Sequence, residues 1–148
     1  MKISTKGRYG LRILIDLAMH DPGKPRMLKD IAKSQQISEK YISRLVIGLR
    51  KAKMVKSVRG VNGGFLLAKT PESITLLEIL EAMEGPLSIV DCVTKPDKCN
   101  RHSLCPARTI WCQLNDGLRE LTRKITLDNI LDAYRKQNVE NGIGEYCI

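Results

Sequence analysis

The feature that most constrains this chain is a cysteine-rich stretch from Cys92 to Cys112, which holds four of the five cysteines in the 148 residues. Pro96 and Asn100 interrupt the part that holds Cys92, Cys99 and Cys105, and Pro106 follows it, which indicates a loop. Cys112 comes after Pro106, and proline is favoured at the first position of a helix. The stretch therefore divides the chain into an N-terminal half, a loop and a C-terminal helix.

The sequence shows no secretory leader and no membrane span, because its N-terminal apolar run is interrupted by Arg12 and Asp16. We therefore expect a cytoplasmic protein without a membrane partner. Thiols stay reduced in the cytoplasm, so five cysteines favour metal or redox chemistry over a disulfide framework. No nucleophile–base pair, paired carboxylates or phosphate-binding glycine loop is recognisable, so we do not expect an enzyme.

The charge is distributed unevenly along the chain. Residues 1–69 carry 16 Lys and Arg against 4 Asp and Glu, a net charge of +12, whereas residues 70–148 carry 9 against 12, a net charge of −3. A strongly basic half is typical of nucleic-acid-binding proteins. A solvated basic face without any ligand would give the same totals, so the order of predicted elements has to decide between the two.

Three helices are predicted in the basic half. The first spans residues 5–20 with Thr5 as its N-cap, the second covers residues 27–33, and Ser38 caps the third. Two short helices with a tight polar link are the pattern of a helix-turn-helix, whose second helix enters the major groove by its N-terminal end. The residues predicted to face DNA on this helix are Glu39, Lys40, Ser43 and Arg44.

A β-hairpin with an Asn-Gly tip is predicted directly after the third helix. A hairpin in this place is a wing, and we expect Lys56 and Arg59 to contact phosphates or the minor groove. A capping box at Thr75 and Glu78 opens a further helix. The pattern therefore predicts a mainly α fold, with a winged helix-turn-helix DNA-binding domain over residues 1–84.

The loop segment, residues 85–105, has donors for a soft metal. Thiolates suit zinc or an iron–sulfur cluster, and the wide spacing of Cys92, Cys99 and Cys105 differs from the Cys-x2-Cys knuckle of zinc sites. These three ligands fall one short of the usual four, and His102 or Cys112 could supply the fourth. Cys112 lies about 10 Å along the helix from Cys105, so it would serve from a partner chain or be a buried thiol.

A long helix is predicted from Pro106 to about Lys124, and a short packing helix capped by Thr126 follows it. We assign residues 106–135 to dimerisation and packing, and residues 136–148 to a flexible tail. Apolar residues recur along the long helix at spacings of three and four, which indicates pairing with a second copy or packing on its own domain. The residues of this seam are Trp111, Leu114, Leu118, Leu121 and Ile125.

With these parts in place, the chain resembles the iron–sulfur cluster regulator (IscR) group of bacterial winged-helix repressors over residues 1–135. The resemblance is carried by MKISTKGRYGLRILIDLA, ISEKYISRLVIGLRKAKMVKSVRGVNGGFLLAK, ITLLEILEAMEG and the cysteine loop. It implies a cytosolic homodimer that binds palindromic or semi-palindromic double-stranded promoter DNA. It also implies a cluster, most often 2Fe-2S, on Cys92, Cys99 and Cys105, whose state changes DNA affinity or site choice.

The chain departs from that group at three positions. A histidine ligand of the biogenesis regulator is replaced by Arg108, and a carboxylate ligand of nitric-oxide-sensing relatives is replaced by Arg8. Arginine stays protonated and does not ligate metals, so the fourth ligand is left open. Ser43 replaces an acidic residue that helps to discriminate operators, so operator preference is not carried over.

Taken together, the sequence predicts a dimeric DNA-binding repressor that senses iron–sulfur status, redox state or a reactive small molecule through the cluster. The genes for cluster biogenesis are its expected targets. The alternative is a zinc-stabilised DNA-binding regulator without cluster sensing. The basic half of the chain disfavours a third interpretation, an iron–sulfur electron carrier or scaffold.

Overall fold

A computed structural model describes residues 2–142, which form seven α-helices and a two-stranded hairpin. The elements are α1 (Thr5–Met19), α2 (Leu28–Gln35), α3 (Glu39–Lys51), β1 (Val55–Val58), β2 (Gly64–Leu67), α4 (Leu76–Glu84), α5 (Asp91–Thr94), α6 (Pro106–Lys124) and α7 (Leu127–Glu140). The predicted mainly α fold with a hairpin wing and a long C-terminal helix is confirmed. None of the helices within residues 2–142 combines the length and apolar character that crossing a membrane requires.

Local capping explains where most helices begin. The hydroxyl of Ser38 accepts the backbone N–H of Tyr41 at the start of α3, as predicted. The predicted cap of α1 was wrong by one residue, because Ser4 rather than Thr5 accepts backbone N–H groups of the first turn. Two adjacent hydroxyl residues can both cap, and here the chain enters the helix one residue earlier.

A single apolar core joins the N-terminal helices to the C-terminal helix α7. The buried face of α3 packs against α1 and α2, and α7 also packs against α1. Backbone hydrogen bonds from Leu76 to Ile125 and from Leu127 to Ile74, both 2.8 Å, fix the return of the chain. The fully buried side chains of this core include Ile13, Leu14, Ile31, Ile42, Leu49, Ile74, Ile79 and Leu127.

The wing is attached to the segment that precedes α2. β1 and β2 pair antiparallel with Val55 opposite Leu67. Arg26 and Phe65 exchange two backbone hydrogen bonds of 2.9 Å, which form an isolated antiparallel β-bridge beside β2. A Cβ at Gly64 would collide with the carbonyl oxygen of Arg26, so this close approach requires glycine.

The C-terminal helix is longer than the sequence indicated. A flexible tail was expected from residue 136, but α7 continues to Glu140 because residues 136–140 contain no glycine or proline. The helix ends before Gly142, whose φ of 66° is a left-handed conformation that favours glycine. The rest of the expected tail, residues 143–148 with Cys147, lies outside the described residues.

Candidate DNA interface and cysteine loop

The third helix presents a cationic face to solvent. Its apolar residues Ile42, Leu45, Val46 and Leu49 are at most 5% exposed and turn the opposite face outward. The predicted DNA-facing residues Glu39, Lys40, Ser43 and Arg44 are all exposed. The structure therefore leaves all four free to meet a duplex at the N-terminal end of this helix.

Of the two wing residues predicted to contact DNA, Lys56 lies beside the third helix and Arg59 lies in the turn of the hairpin. Lys56 on β1 lines an open cavity of about 550 Å³ between the hairpin and α3, whereas Arg59 is exposed in the turn after β1. The other residues that line this cavity were not among the predicted DNA-facing residues. The cavity is lined by Ile47, Arg50, Lys51, Val55, Lys56 and Ser57.

A buried carboxylate holds the helix-turn-helix against α1. Asp16 is only 5% exposed, and it accepts hydrogen bonds of 2.9 Å from Nε of Arg26 and from Nε2 of Gln35. The hydroxyl of Ser34 donates to the same carboxylate. Because Arg26 also pairs with the wing, Asp16 links α1, α2 and the hairpin. The signal in the sequence that could have found this role is an acidic residue within an apolar run.

The loop cysteines lie on different short elements. Cys92 is in α5, Cys99 follows a single 3₁₀ turn, and Cys105 is the N-cap residue of α6, as predicted from Pro106. Cys112 lies within α6. These four are free, partly buried thiols. Across residues 2–142, no three side chains of His, Cys, Asp or Glu are arranged to hold a metal ion.

The donors nevertheless suit a soft metal by their chemistry, since thiolates and imidazole are the ligands of zinc and iron–sulfur centres. The His102 Nδ1 lies 2.9 Å from the backbone oxygen of Cys99. In the neutral ring Nδ1 then donates, and Nε2 is the nitrogen left with a free lone pair. A hydrogen bond from one ring nitrogen to a backbone oxygen is typical of histidines that bind a metal through the other nitrogen. The three thiols and the imidazole are therefore chemically suited to zinc or an iron–sulfur cluster. Because they are not arranged around one point, the loop has to close to bring them together.

Arg108 connects the loop to the long helix. Its Nε donates a 3.2 Å hydrogen bond to the backbone oxygen of Cys92, so α5 is tied to the first turn of α6. The position that the family resemblance associates with a histidine ligand therefore holds the loop by a backbone contact in this chain.

The long helix α6 attaches to its own chain through polar contacts. Asn115 is 2% exposed and its side-chain oxygen accepts the backbone N–H of Ile89 at 3.0 Å. Arg119 pairs with Glu81 on α4. The apolar residues point outward instead: Ile110 is 56% exposed, Trp111 40%, Leu114 56% and Leu121 58%.

Three of the five predicted seam residues, Trp111, Leu114 and Leu121, thus lie on the open face, whereas Leu118 and Ile125 are partly buried. A helix that buries polar residues against its own domain and exposes apolar ones favours pairing with another surface. Packing within the chain accounts for part of the burial of Leu118 and Ile125 but leaves the other three seam residues uncovered.

A helix-turn-helix with an exposed cationic second helix and a basic wing defines a winged helix-turn-helix DNA-binding protein. A family model described as Rrf2, iron-dependent transcriptional regulator, matches residues 3–133. The chain therefore belongs to the Rrf2 family of transcriptional regulators. It is a regulator and not an enzyme.

Two groups of relatives are similar to this chain. HTH-type transcriptional regulator CymR of Bacillus subtilis is 39% identical over 130 residues, which cover 88% of this chain and 89% of the relative. HTH-type transcriptional regulator IscR of Pectobacterium atrosepticum is 32% identical over 139 residues, covering 94% and 84%. The resemblance to IscR-type regulators is thus confirmed, and CymR-type regulators are similar as well.

Solved structures show the same two groups. A CymR structure from B. subtilis, titled as the global cysteine regulator, superposes with a TM-score of 0.74 at 38% identity and covers 90% of this chain and 98% of its own. A structure titled T. potens IscR gives a TM-score of 0.69 at 37% identity, covering 90% and 88%. Because one relative is titled a cysteine regulator, membership of the family does not decide what this chain senses.

Proposed function

We propose that this chain is a dimeric, cytoplasmic repressor that senses iron–sulfur status, redox state or a reactive small molecule through a cluster, most often 2Fe-2S, on Cys92, Cys99 and Cys105. Genes for cluster biogenesis are its proposed targets. The observation that carries the proposal is the position of Cys105 as the cap residue of α6, the helix with the open apolar face. Three partly buried thiols and an imidazole in one loop supply the donors.

The same contacts suggest how the loop communicates with the dimer. A cluster would supply a rigid, thiolate-bound centre that fixes the separation of its ligands. Cys92 lies on α5, which packs against α6 and is tied to it by Arg108. Closing the loop therefore shifts α5 and the first turn of α6 together. The position of α6 sets the separation of the two recognition helices, which has to match half-sites about 34 Å apart.

The fourth ligand is His102 or Cys112. The contact of His102 Nδ1 with the Cys99 carbonyl favours His102, because it leaves Nε2 available for a metal. Cys112 is partly buried on α6, where the exposed face is proposed to meet a second copy. A partner chain could therefore bring its own Cys112 to the loop.

Anaerobic purification tests the cluster directly. We expect iron and acid-labile sulfide in the wild type, and loss of both when Cys92, Cys99 or Cys105 is replaced by alanine. Of His102→Ala and Cys112→Ala, the variant that loses cluster stability identifies the fourth ligand, and Ser103→Ala is a loop control that retains it. A colourless protein without iron or sulfide would contradict the proposed cluster. Zinc in place of iron would favour the zinc-stabilised regulator.

DNA binding is tested by its dependence on salt. With a promoter fragment, log K should fall linearly with log salt, because cationic side chains release counterions from phosphates. Lys56→Ala should weaken binding to all sequences and reduce the slope by about one for each phosphate that is no longer neutralised. An unchanged slope would remove Lys56 from the interface, while Lys136→Ala on α7 serves as a control outside it.

A further inference from the structure

Ile47 is an exposed apolar side chain in the middle of the recognition helix. It is 52% exposed, whereas Ile42 and Leu49 on the same helix are fully buried. Packing within the chain therefore does not account for an isoleucine at this position. A single exposed apolar residue is ordinary on a protein surface, so the surroundings of Ile47 have to carry the argument.

Cations surround Ile47. The cavity of about 550 Å³ that it lines is also lined by Arg50, Lys51 and Lys56. Within the described part of the chain, no acidic side chain lines this cavity. An apolar centre with a cationic rim is complementary to a polyanion that carries an apolar group between its charges.

Duplex DNA has such a group in its major groove. Phosphates border the groove, and the 5-methyl group of thymine is the apolar feature that distinguishes a base there. Ile47 lies three and four residues beyond Arg44 and Ser43 on the exposed face, about 6 Å along the helix axis. That distance is about two base-pair steps. An isoleucine has no hydrogen-bonding group, so apolar contact is the means by which it can discriminate bases.

We infer that Ile47 reads the methyl group of a thymine in each operator half-site, about two base pairs from the bases reached by Ser43 and Arg44. This inference rests on the recognition helix being the DNA-binding element. It assigns a specificity determinant to a residue that has no charge or hydrogen-bonding group.

The experiment uses duplexes selected from a random pool by the full-length wild-type protein. Each thymine of the best duplex is replaced in turn by deoxyuridine, which removes the methyl group and keeps the base-pairing edge. We expect one symmetry-related pair of thymines at which replacement in both half-sites weakens binding by about fifteenfold, since each methyl contributes about fourfold. Ile47→Ala should lower the affinity for the thymine duplex and show less than a twofold response at that pair.

Val139→Ser is the matched control, because it removes an exposed β-branched side chain, 73% exposed, from a helix away from the recognition helix. It should retain the wild-type response to deoxyuridine. Sequence-specific binding without any methyl dependence would overturn the role of Ile47 and leave the DNA-binding function intact. A methyl response that persists in Ile47→Ala would assign it to another residue. Failure to select any duplex would overturn the role of Ile47 and the proposed regulator together.

Discussion

At the scale of single residues, Asp16 shows how one buried charge fixes the recognition element. Its carboxylate is almost inaccessible, and Arg26, its cationic partner, has a side chain that is only 17% exposed. Removing one member of a buried pair leaves the other charge without compensation. Asp16 therefore contributes to the position of α2 and of the wing as well as to stability.

We expect Asp16→Ala to lower the free energy of unfolding by about 3 kcal/mol. Asp16→Asn should lower the free energy of unfolding by less, because the amide oxygen still accepts a hydrogen bond from Gln35 or Ser34. The control is Asp132→Ala, which breaks the exposed pair with Arg135 and should change stability by less than about 0.5 kcal/mol. Denaturant unfolding followed by circular dichroism measures all three, and equal effects at Asp16 and Asp132 would contradict this role.

The difference between Asp16 and the helix caps shows what the sequence can reveal. Ser38, Thr75 and Thr126 were predicted as caps because each cap depends on residues within one helical turn, and the structure confirms them. The side chains that donate hydrogen bonds to the Asp16 carboxylate lie 10 to 19 residues away, so this role depends on how the elements pack. The fourth ligand of the loop cannot be read from sequence for the same reason.

At the scale of elements, the capping box of α4 makes stability depend on pH. Burial raises the pKa of the Glu78 carboxyl, but hydrogen bonds from the backbone N–H and hydroxyl of Thr75, together with the charge of Lys69, outweigh it. The pKa of Glu78 is therefore lower than its ordinary value of 4.5. A depressed folded pKa means that the stabilisation is present above the unfolded pKa and is lost as the pH falls through the folded pKa.

Glu78→Gln isolates this contribution, because glutamine can still complete a capping box but cannot ionise. We expect the wild type to be the more stable protein near neutral pH, and the difference from Glu78→Gln to shrink as the pH falls below 4.5. Denaturant midpoints measured at several pH values test this. A constant difference between the two proteins across that range would show that the charge of Glu78 does not act through the cap.

Elements differed in how well their pattern predicted them. The hairpin followed from its Asn-Gly tip, and α3 followed from its cap and its apolar spacing. The short helix α5 and the 3₁₀ turn between the cysteines were not predicted, because such short pieces carry no apolar period. Their positions separate the thiols, which is why three close cysteines in sequence do not make a preassembled site within residues 2–142.

At the scale of the whole molecule, α6 is the element through which we propose that two copies pair. It is anchored to α4 through Arg119 and Glu81, and to the segment after α4 through Asn115. Beside this anchored face, the apolar side chains of Trp111, Leu114 and Leu121 are left exposed. Pairing of two such apolar faces would place two DNA-binding domains in one dimer. Because α6 begins at Cys105, a change in the cysteine loop could then alter the distance between the two recognition helices.

We expect the double substitution Leu114→Glu and Leu121→Glu to convert the proposed dimer to a monomer. Both side chains are more than half exposed, so the fold of each chain should persist in circular dichroism. Binding to a two-half-site duplex should weaken by about a hundredfold, because the second half-site no longer benefits from a high local concentration. Gln113→Glu adds charge to the same helix next to the seam and should remain dimeric. Sedimentation of the double variant as a dimer with wild-type affinity would show that the seam is not the interface.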